Sequence, residues 1–234
     1  MQFLITRRFL ALLMLMIAAP CYSAQSQSLP VALVYFGPGV CSGCPQSLAK
    51  VIKKSGYEVR RVNAGGISKE SLKDVKIFAI PGGDDVRELM DALQSGESAA
   101  IREFVAKGGN YLGVCLGAYV ASRSELGLFN GEIRAHSKTI EARMENVSWL
   151  GKPRWVYFQD GPEFKTDDAD KSDVWSVYRT GETAALIQSY KLGHIGLVGP
   201  HLESDQSWLD DDNLSDMDGD DSNLLVEFIK AISK

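Results

Sequence analysis

Apolar residues in the first half of the chain form short continuous runs, separated by stretches with the spacing of amphipathic helices. The run Val31–Phe36 is typical of a strand buried on both faces, and the glycines and proline at 37–39 end it. The same pattern predicts three further strands, at Glu58–Val62, Lys76–Ile80 and Tyr111–Val114. Helices are predicted between them, at 45–56, Asp84–Leu93, Glu97–Lys107 and Leu116–Ser122. This alternation predicts an α/β fold with a doubly wound, mainly parallel sheet flanked by helices, as in flavodoxin-like folds.

The second half of the chain is predicted to be richer in strands. Short β-like stretches lie within Glu132–Phe158 and at Val174–Arg179, and Ala184–Tyr190 with His194–Val198 is predicted to form a hairpin. The amphipathic spacing of Leu224–Ile232 predicts a closing helix. The sequence has no internal repeat and no linker long enough to divide two domains. We therefore expect a single domain over residues 25–234.

Residues 1–24 have the pattern of a signal peptide that is cleaved near their end. Arg7 and Arg8 precede the apolar run Phe9–Ala19, and small residues follow it. The run is shorter than the roughly 20 residues that a membrane-spanning helix needs. We expect export, to the periplasm in a bacterium and otherwise into the medium, with no membrane insertion after the leader is removed. General secretion and twin-arginine export both remain open.

The charge of the chain argues against a nucleic-acid partner. The net charge is −5, and it becomes −7 when Arg7 and Arg8 are left out. The segment Asp205–Asp221 contains eight aspartates and no lysine or arginine, so it would repel a phosphate backbone. A solvated acidic loop is expected there. The segment does not fit the ligand spacing of an EF-hand calcium loop.

The cysteines divide into a close pair and a single residue. Cys21 lies in the predicted leader, Cys41 and Cys44 form a Cys-x-x-Cys motif, and Cys115 stands alone. In an oxidising compartment the close pair is expected to form a disulfide, which leaves Cys115 as a free thiol. A redox-active pair and part of a metal site are the alternatives for the motif. The metal alternative has little support because no second cysteine or histidine pair completes it.

Cys115 lies in Gly113-Val114-Cys115-Leu116-Gly117, where a predicted strand meets a predicted helix. A nucleophile two residues from a glycine on either side is the pattern of a nucleophile elbow. The helix start favours the thiolate form, and the Leu116 amide is placed to stabilise an oxyanion. A buried core cysteine at a glycine-rich turn is the alternative interpretation.

A candidate base for Cys115 comes from the three histidines. Only His201 has an acidic residue two positions later, Glu203, and residues i and i+2 of an extended segment point to the same side. His201 follows a predicted strand, so it should lie at the sheet edge that carries Cys115. A solvated histidine–glutamate pair is the alternative. His136 and His194 lack such a neighbour.

Pro81-Gly82-Gly83 ends the strand that should lie beside the strand of Cys115. Glycine allows the backbone to approach a substrate closely, so an amide of this segment is a candidate second oxyanion donor. An ordinary glycine turn is the alternative.

Together these residues resemble the class I glutamine-amidotransferase-like superfamily, and within it the biotin-protein-ligase N-terminal-domain-like family. The matching segments follow one another in the family's order: VYFGPGV at Val34–Val40, IPGGDD at Ile80–Asp85, YLGVCLGAYVAS at Tyr111–Ser122, YFQDGPEF at Tyr157–Phe164 and GPHLE at Gly199–Glu203. They extend over most of the chain that follows the leader. The combination is specific, although each motif alone is not.

The resemblance implies a triad of Cys115, His201 and Glu203, with the amides of Gly83 and Leu116 as the oxyanion hole. It also implies substrate contacts around the same edge, at Gly37, Gly39, Gly82, Asp85, Tyr119, Tyr157 and Asp160. The sequence has no glycine–arginine-rich biotin-binding loop, so biotin transfer is not implied.

Three functions are compatible with these residues. The first is a stand-alone hydrolase or acyl-transfer enzyme acting on a small-molecule or peptide-like amide, with no cofactor and no metal. The second is a ligand-binding module of the same fold that has lost turnover. The third is a thiol-redox or stress protein that uses Cys115 or the Cys41/Cys44 pair.

Overall fold

The structure, a computed structural model, describes residues 28–167 and 172–234. The predicted signal peptide therefore lies outside the described residues. The strands are β1 (Val31–Tyr35), β2 (Glu58–Val62), β3 (Val75–Ile80), β4 (Asn110–Val114), β5 (Gly131–Ala135), β6 (Arg143–Trp149), β7 (Lys152–Phe158), β8 (Pro162–Thr166), β9 (Ser172–Tyr178), β10 (Thr183–Tyr190) and β11 (Gly193–Val198). The helices are α1 (Cys44–Lys54), α2 (Val86–Ala92), α3 (Ser95–Ala106), α4 (Leu116–Val120), α5 (Gln206–Asp211) and α6 (Ser222–Ile232), with a 3-10 turn at Ala64–Gly66.

The strands form one sheet whose two halves differ in direction. In the order β2-β1-β3-β4-β11, neighbouring strands are parallel, and the sheet continues through β10, β9, β6 and β7 in antiparallel pairs. β8 pairs with β10 and with β5 off this path. The α/β class with a β-rich second half is confirmed, and the second half is an antiparallel extension of the same sheet.

Helices cover both faces of the parallel half because its strands are apolar on both sides. In β3, Phe78 packs in the cluster that includes Ile101 of α3, whereas Ile77 packs in the opposite cluster with Leu48 of α1 and Phe228 of α6. Successive residues of a strand point to opposite faces, so a continuous apolar run supplies two cores. This arrangement is the predicted doubly wound one. Among the described residues, no helix combines the length and apolar character needed to cross a bilayer.

The acidic segment differs from the solvated loop that its composition predicts. Asp205 caps α5, where its carboxylate accepts a hydrogen bond from the Ser207 amide at 3.1 Å. Asp221 is only 6% exposed and lies 2.7 Å from Nη2 of Arg154 on β7. Asp205 and Asp221 therefore begin α5 and α6, and Asp221 joins the antiparallel half of the sheet to the start of α6. The other aspartates of the segment are mostly exposed, as expected: Asp210, Asp211, Asp212, Asp218 and Asp220. Short-range capping and one buried ion pair order a segment whose charge alone suggested solvation.

Replacing Arg154 with methionine should destabilise the fold by about 3 kcal/mol at pH 7.5, because it leaves a buried carboxylate without its cation. Burial already raises the pKa of Asp221 to about 6, despite the lowering by Arg154. A raised carboxyl pKa contributes stability that is present at low pH and is lost as the pH rises through about 6. The destabilisation caused by Arg154→Met should therefore be smaller at pH 5 than at pH 7.5, as measured by urea unfolding at both pH values.

Arg60→Met supplies the matched control, since Arg60 forms an exposed ion pair with Glu58. The free energy of unfolding should fall by less than about 1 kcal/mol in Arg60→Met at either pH. Equal effects of the two substitutions at pH 7.5 would contradict a structural role for the Arg154–Asp221 pair.

Candidate active site

Cys115 lies on the turn between β4 and α4, at the carboxyl end of a strand in the middle of the sheet. Its φ of 49° and ψ of −107° are values that L-residues rarely adopt. Its amide donates to Val198 O at 2.9 Å, which anchors the turn to the end of β11. The residue is 4% exposed. A non-glycine residue held in a strained conformation at a strand end is the geometry of a nucleophile elbow.

The two flanking glycines are required by the close packing of this turn. A β-carbon at Gly113 would overlap the carbonyl oxygen of Gly117, and one at Gly117 would overlap that of Ile80 at the end of β3. The Gly117 amide donates to Pro81 O at 3.1 Å, and its carbonyl accepts from the Tyr111 hydroxyl at 2.6 Å. The Gly-x-Cys-x-Gly spacing is therefore explained by two backbone contacts, one within the turn at Gly113 and one between the turn and β3 at Gly117.

His201 and Glu203 follow β11, whose parallel pairing with β4 brings them to the edge of the sheet that carries Cys115. A hydrogen bond of 2.9 Å joins Nδ1 of the His201 ring and Oε1 of Glu203. Both residues are 3% exposed. Because Nδ1 faces the carboxylate, Nε2 is the ring nitrogen left for the thiol.

The pKa of His201 depends on its two neighbours, Cys115 and Glu203. Burial by itself lowers the pKa of His201, but the charges of Cys115 and Glu203 and hydrogen bonds to both raise that pKa well above its usual value. The Cys115 thiol also lies 3.6 Å from Gln159 O and 4.0 Å from Asp160 O. The structure therefore brings together the three residues that the sequence predicts as a triad, and all three are buried.

The His201 ring is packed from several sides. Tyr157 and Trp208 lie with their ring centroids 5.9 Å and 5.2 Å from it, and a β-carbon at Gly82 would lie 2.5 Å from its Cε1 atom. The His201 amide donates to Tyr157 O at 2.9 Å, and the Tyr157 hydroxyl donates to Asp212 at 2.5 Å. Tyr157, predicted as a substrate contact, thus lies against the histidine. Trp208 was missed because α5 was not predicted.

The two amides predicted as an oxyanion hole lie at the ends of β3 and β4. Leu116 is the first residue of α4, and Gly83 forms an isolated bridge with Val40 in which a β-carbon would overlap Gly39 O. Within the described part of the chain, neither amide donates a hydrogen bond to another group. Both donors are thus available for a substrate oxygen, and their role remains a prediction.

The other predicted contacts divide into a network at the start of α2 and two residues near the sulfur. Gly39 has a φ of 85°, its amide donates to Glu88 Oε2 at 3.1 Å, and its carbonyl accepts from Asp84 at 3.0 Å. Asp85 caps α2 by accepting from the Glu88 amide at 2.9 Å. A β-carbon at Gly37 would lie 2.5 Å from the Tyr35 hydroxyl. These bonds hold the loop beside Gly83.

Tyr119 and Asp160 lie closer to the sulfur. Tyr119 is on α4 and half-buried, and burial together with the charges of Asp160 and Cys115 raises the pKa of its hydroxyl. Asp160 has a φ of 50° and an exposed side chain, and its carbonyl is the one 4.0 Å from the thiol. The turn at 159–161 therefore covers the Cys115 sulfur, and Tyr119 and Asp160 both lie near that sulfur.

Cys41 and Cys44 are joined by a disulfide across the start of α1, with Cα atoms 5.5 Å apart. A β-carbon at Gly82 would lie 3.4 Å from the Cys44 sulfur, so the disulfide is beside the glycine that also contacts His201. Cys115 is the free cysteine of the described residues. Cys41 and Cys44 are three residues apart, and the chain at the start of α1 brings them close enough to pair.

Protein unfolded in guanidinium without reductant should take up one iodoacetamide label, on Cys115. After reduction the mature protein should take up three, because Cys41 and Cys44 are then free thiols. Unfolding removes the effect of burial, so the count reports pairing alone. Peptide mass spectrometry on protein from its native compartment makes the measurement. Three labels before reduction would contradict the disulfide.

The chain is similar in sequence to one protein family. Residues 31–129 match the family model described as "Biotin-protein ligase, N terminal". An uncharacterized protein of Chlamydia muridarum is 27% identical over 207 residues, which cover 73% of this chain and 79% of that protein. The imidazole glycerol phosphate synthase hisHF of Emericella nidulans is 30% identical over 115 residues, 47% of this chain and 20% of that protein.

Solved structures agree in fold. PurLQS from Thermotoga maritima has a TM-score of 0.63 at 16% identity, covering 88% of this chain and 100% of that one. A glutamine amidotransferase from Thermotoga maritima has a TM-score of 0.57 at 12% identity, covering 87% and 91%. At these identities the likeness concerns the fold alone. The resemblance read from the sequence is confirmed: residues 31–129 match the biotin-protein ligase N-terminal family model, and the fold is similar to that of solved glutamine amidotransferase structures.

Proposed function

We propose that this protein is a stand-alone Cys-His-Glu hydrolase or acyl-transfer enzyme that acts on an amide or related carbonyl substrate, without biotin ligase activity. The observation that carries the proposal is the buried His201–Glu203 pair beside Cys115 on its strained turn. A thiol needs a base to become a strong nucleophile, and the base needs a third group to orient it. These three residues meet both requirements.

In the proposed reaction, the Cys115 proton first passes to His201, and the resulting thiolate attacks the substrate carbonyl. The negative charge that develops on the carbonyl oxygen is stabilised by the amides of Gly83 and Leu116. Collapse of the tetrahedral intermediate breaks the carbon–nitrogen bond, and His201 returns the proton to the leaving amine. Water then attacks the thioester, again with His201 as base, and releases the acid and the thiol.

Glu203 has an orienting role in this scheme. Its side chain is buried, one carboxylate oxygen holds His201 Nδ1, and among the described residues the other oxygen has no hydrogen-bond partner. A fixed negative charge at Nδ1 stabilises the imidazolium that forms when the thiol loses its proton. The acid does not itself contact the substrate.

Covalent trapping tests the proposal. A chloromethyl ketone that mimics an amide side chain should add to Cys115 and be detected as a mass increase on its peptide. The addition should be absent in Cys115→Ala and slower by about 10²-fold or more in His201→Ala, the contribution typical of a general base. Labelling at an equal rate in wild-type protein and His201→Ala would contradict the proposal. Saturable ligand binding that survives Cys115→Ala would instead support a binding module.

A thiol-redox function is the second candidate. The position of the Cys41–Cys44 disulfide beside the candidate site supports it. The Cys44 sulfur and the His201 ring lie against the same residue, Gly82. A reduction potential of the Cys41–Cys44 pair in the oxidoreductase range, with reduction of insulin, would support this function. A potential below about −300 mV would identify the pair as structural.

We also propose that the protein is exported. Expressed with its leader in a bacterium, it should lose about 23 residues and be recovered from the periplasm, because the Arg7–Ala24 segment has the pattern that signal peptidases recognise. N-terminal sequencing of the periplasmic fraction measures this. Recovery of extracytoplasmic protein that still begins at Met1 would contradict cleavage.

A further inference from the structure

Two glutamates and one histidine converge on the antiparallel half of the sheet, and none of the three belongs to the predicted triad. His136 follows β5, Glu163 lies on β8, and Glu182 lies in the turn between β9 and β10. Each offers one ligand atom, and these atoms all lie within 4.8 Å of one another. We propose that this His136–Glu163–Glu182 cluster binds a divalent transition metal ion such as zinc. No sequence motif predicts a metal site at these residues, because they are far apart in the chain.

The His136 ring is already fixed in a binding orientation. It stacks on Tyr178 with centroids 3.5 Å apart and planes 6° apart, and it meets Phe158 edge to face at 5.6 Å. Its side chain is 8% exposed, and Nδ1 lies 3.1 Å from Glu163 Oε2. Two ligands bound to zinc at about 2.0–2.2 Å are separated by a similar distance, so this edge of the site needs little rearrangement.

Glu182 completes the cluster from the solvent side. The pairing of Thr183 with Phe164 brings the β9–β10 turn next to Glu163 on β8. Glu182 is exposed to solvent. It can therefore close onto an ion that enters from water. An ion pair of His136 and Glu163 would be complete without Glu182, whereas a metal ion requires further ligands of this kind.

The chemistry of the three ligands suits zinc. One neutral imidazole and two carboxylates balance a double positive charge, and water can fill the remaining positions. Among divalent ions, nitrogen and oxygen sites of this kind generally bind zinc more tightly than manganese or iron. Two arginines lie near the cluster. Arg134 is opposite Glu163 in the β5–β8 pair and forms an ion pair with Glu132, and Arg143 forms an ion pair with Glu145 at 2.8 Å. The charges of both arginines are therefore already balanced by other carboxylates.

The cluster is linked by a short backbone path to the turn that covers Cys115. The His136 amide donates to Gly161 O at 3.2 Å, and the preceding carbonyl, of Asp160, lies 4.0 Å from the sulfur. A bound ion would join β5, β8 and the β9–β10 turn immediately behind this turn. The metal site itself does not depend on the proposed enzymatic function.

Zinc titration by calorimetry tests the inference, using the full chain with its disulfide intact and the substitution Cys115→Ser. Removing the thiol prevents zinc from binding at the triad, so catalysis does not enter the readout. One zinc ion should bind per chain. In this background Glu182→Gln should weaken binding by about tenfold or more, and His136→Ala should abolish it.

Two matched substitutions complete the experiment. His194→Ala and His201→Ala each remove one imidazole from elsewhere in the chain and should leave the zinc affinity unchanged. Glu182 is exposed, so its variant remains decisive even where His136→Ala fails to fold. The absence of saturable zinc binding, or equal binding before and after Glu182→Gln, would overturn the inference.

Discussion

Replacing His201 with alanine should slow the alkylation of Cys115 by iodoacetamide about 10- to 100-fold at pH 6.5. A free thiol, of pKa about 8.5, is roughly 1% ionised at that pH, so a variant without the His201 cation should react at the slow rate of such a thiol. The pKa of His201 is raised well above its usual value by Cys115 and Glu203, which outweigh the lowering by burial. A raised histidine pKa keeps the imidazolium present as the pH rises through neutrality. Wild-type alkylation should therefore already be fast at pH 6.5.

The helix start is the competing source of thiolate stabilisation. The sequence predicted α4 over Leu116–Ser122, but the helix ends at Val120, so its dipole contributes less than expected. The difference between variants separates the two effects. Glu203→Gln should slow alkylation less than His201→Ala does, and His194→Ala should not change it. An unchanged pH profile in a folded His201→Ala protein would contradict the triad.

Gly117→Ala should destabilise the fold by about 3 kcal/mol or more, as in a severely overpacked core. The added methyl group would overlap the carbonyl oxygen of Ile80, a backbone atom that can move only if β3 moves with it. Both β3 and β4 lie in the middle of the sheet, where neighbouring strands hold them on either side. The midpoint of urea unfolding gives the change in the free energy of unfolding.

Gly96→Ala is the matched control, because Gly96 lies on α3 and nothing lies within 4 Å of an added β-carbon. Alanine in an exposed helix is favoured over glycine, so this variant should be unchanged or more stable by up to about 1 kcal/mol. A Gly117→Ala protein as stable as wild type would show that the turn does not need close contact with β3.

The elements of the parallel half were predictable because their apolar pattern is strong. The first strand was predicted at Val31–Phe36 and is observed at Val31–Tyr35. By contrast, β8 begins with a proline and carries charged residues, so its pattern is weak, and it forms through its register with β5. The helix α5 depends on the Asp205 cap and on Trp208 packing against His201. Local pattern does not encode such contacts.

The same distinction applies to the chemistry. Cys115 and the His201/Glu203 pair could be predicted because short motifs carry them. Glu163 and Glu182 converge on His136 only through antiparallel strand register, which the sequence does not specify over such separations. Short sequence motifs can identify functional residues that lie close together in the chain. Residues that strand pairing brings together can be identified only from the structure.

The parallel pairing of β11 with β4 has a consequence for how the protein folds. Cys115 takes its place only when β11, which lies about eighty residues later in the chain, has docked beside β4. Contacts between such distant segments form slowly because a large loop must close first. Cys41 and Cys44 are separated by only three residues and can pair at once. Early closure of this local disulfide would remove both thiols before the slow step and keep Cys115 from forming a wrong bond with either of them.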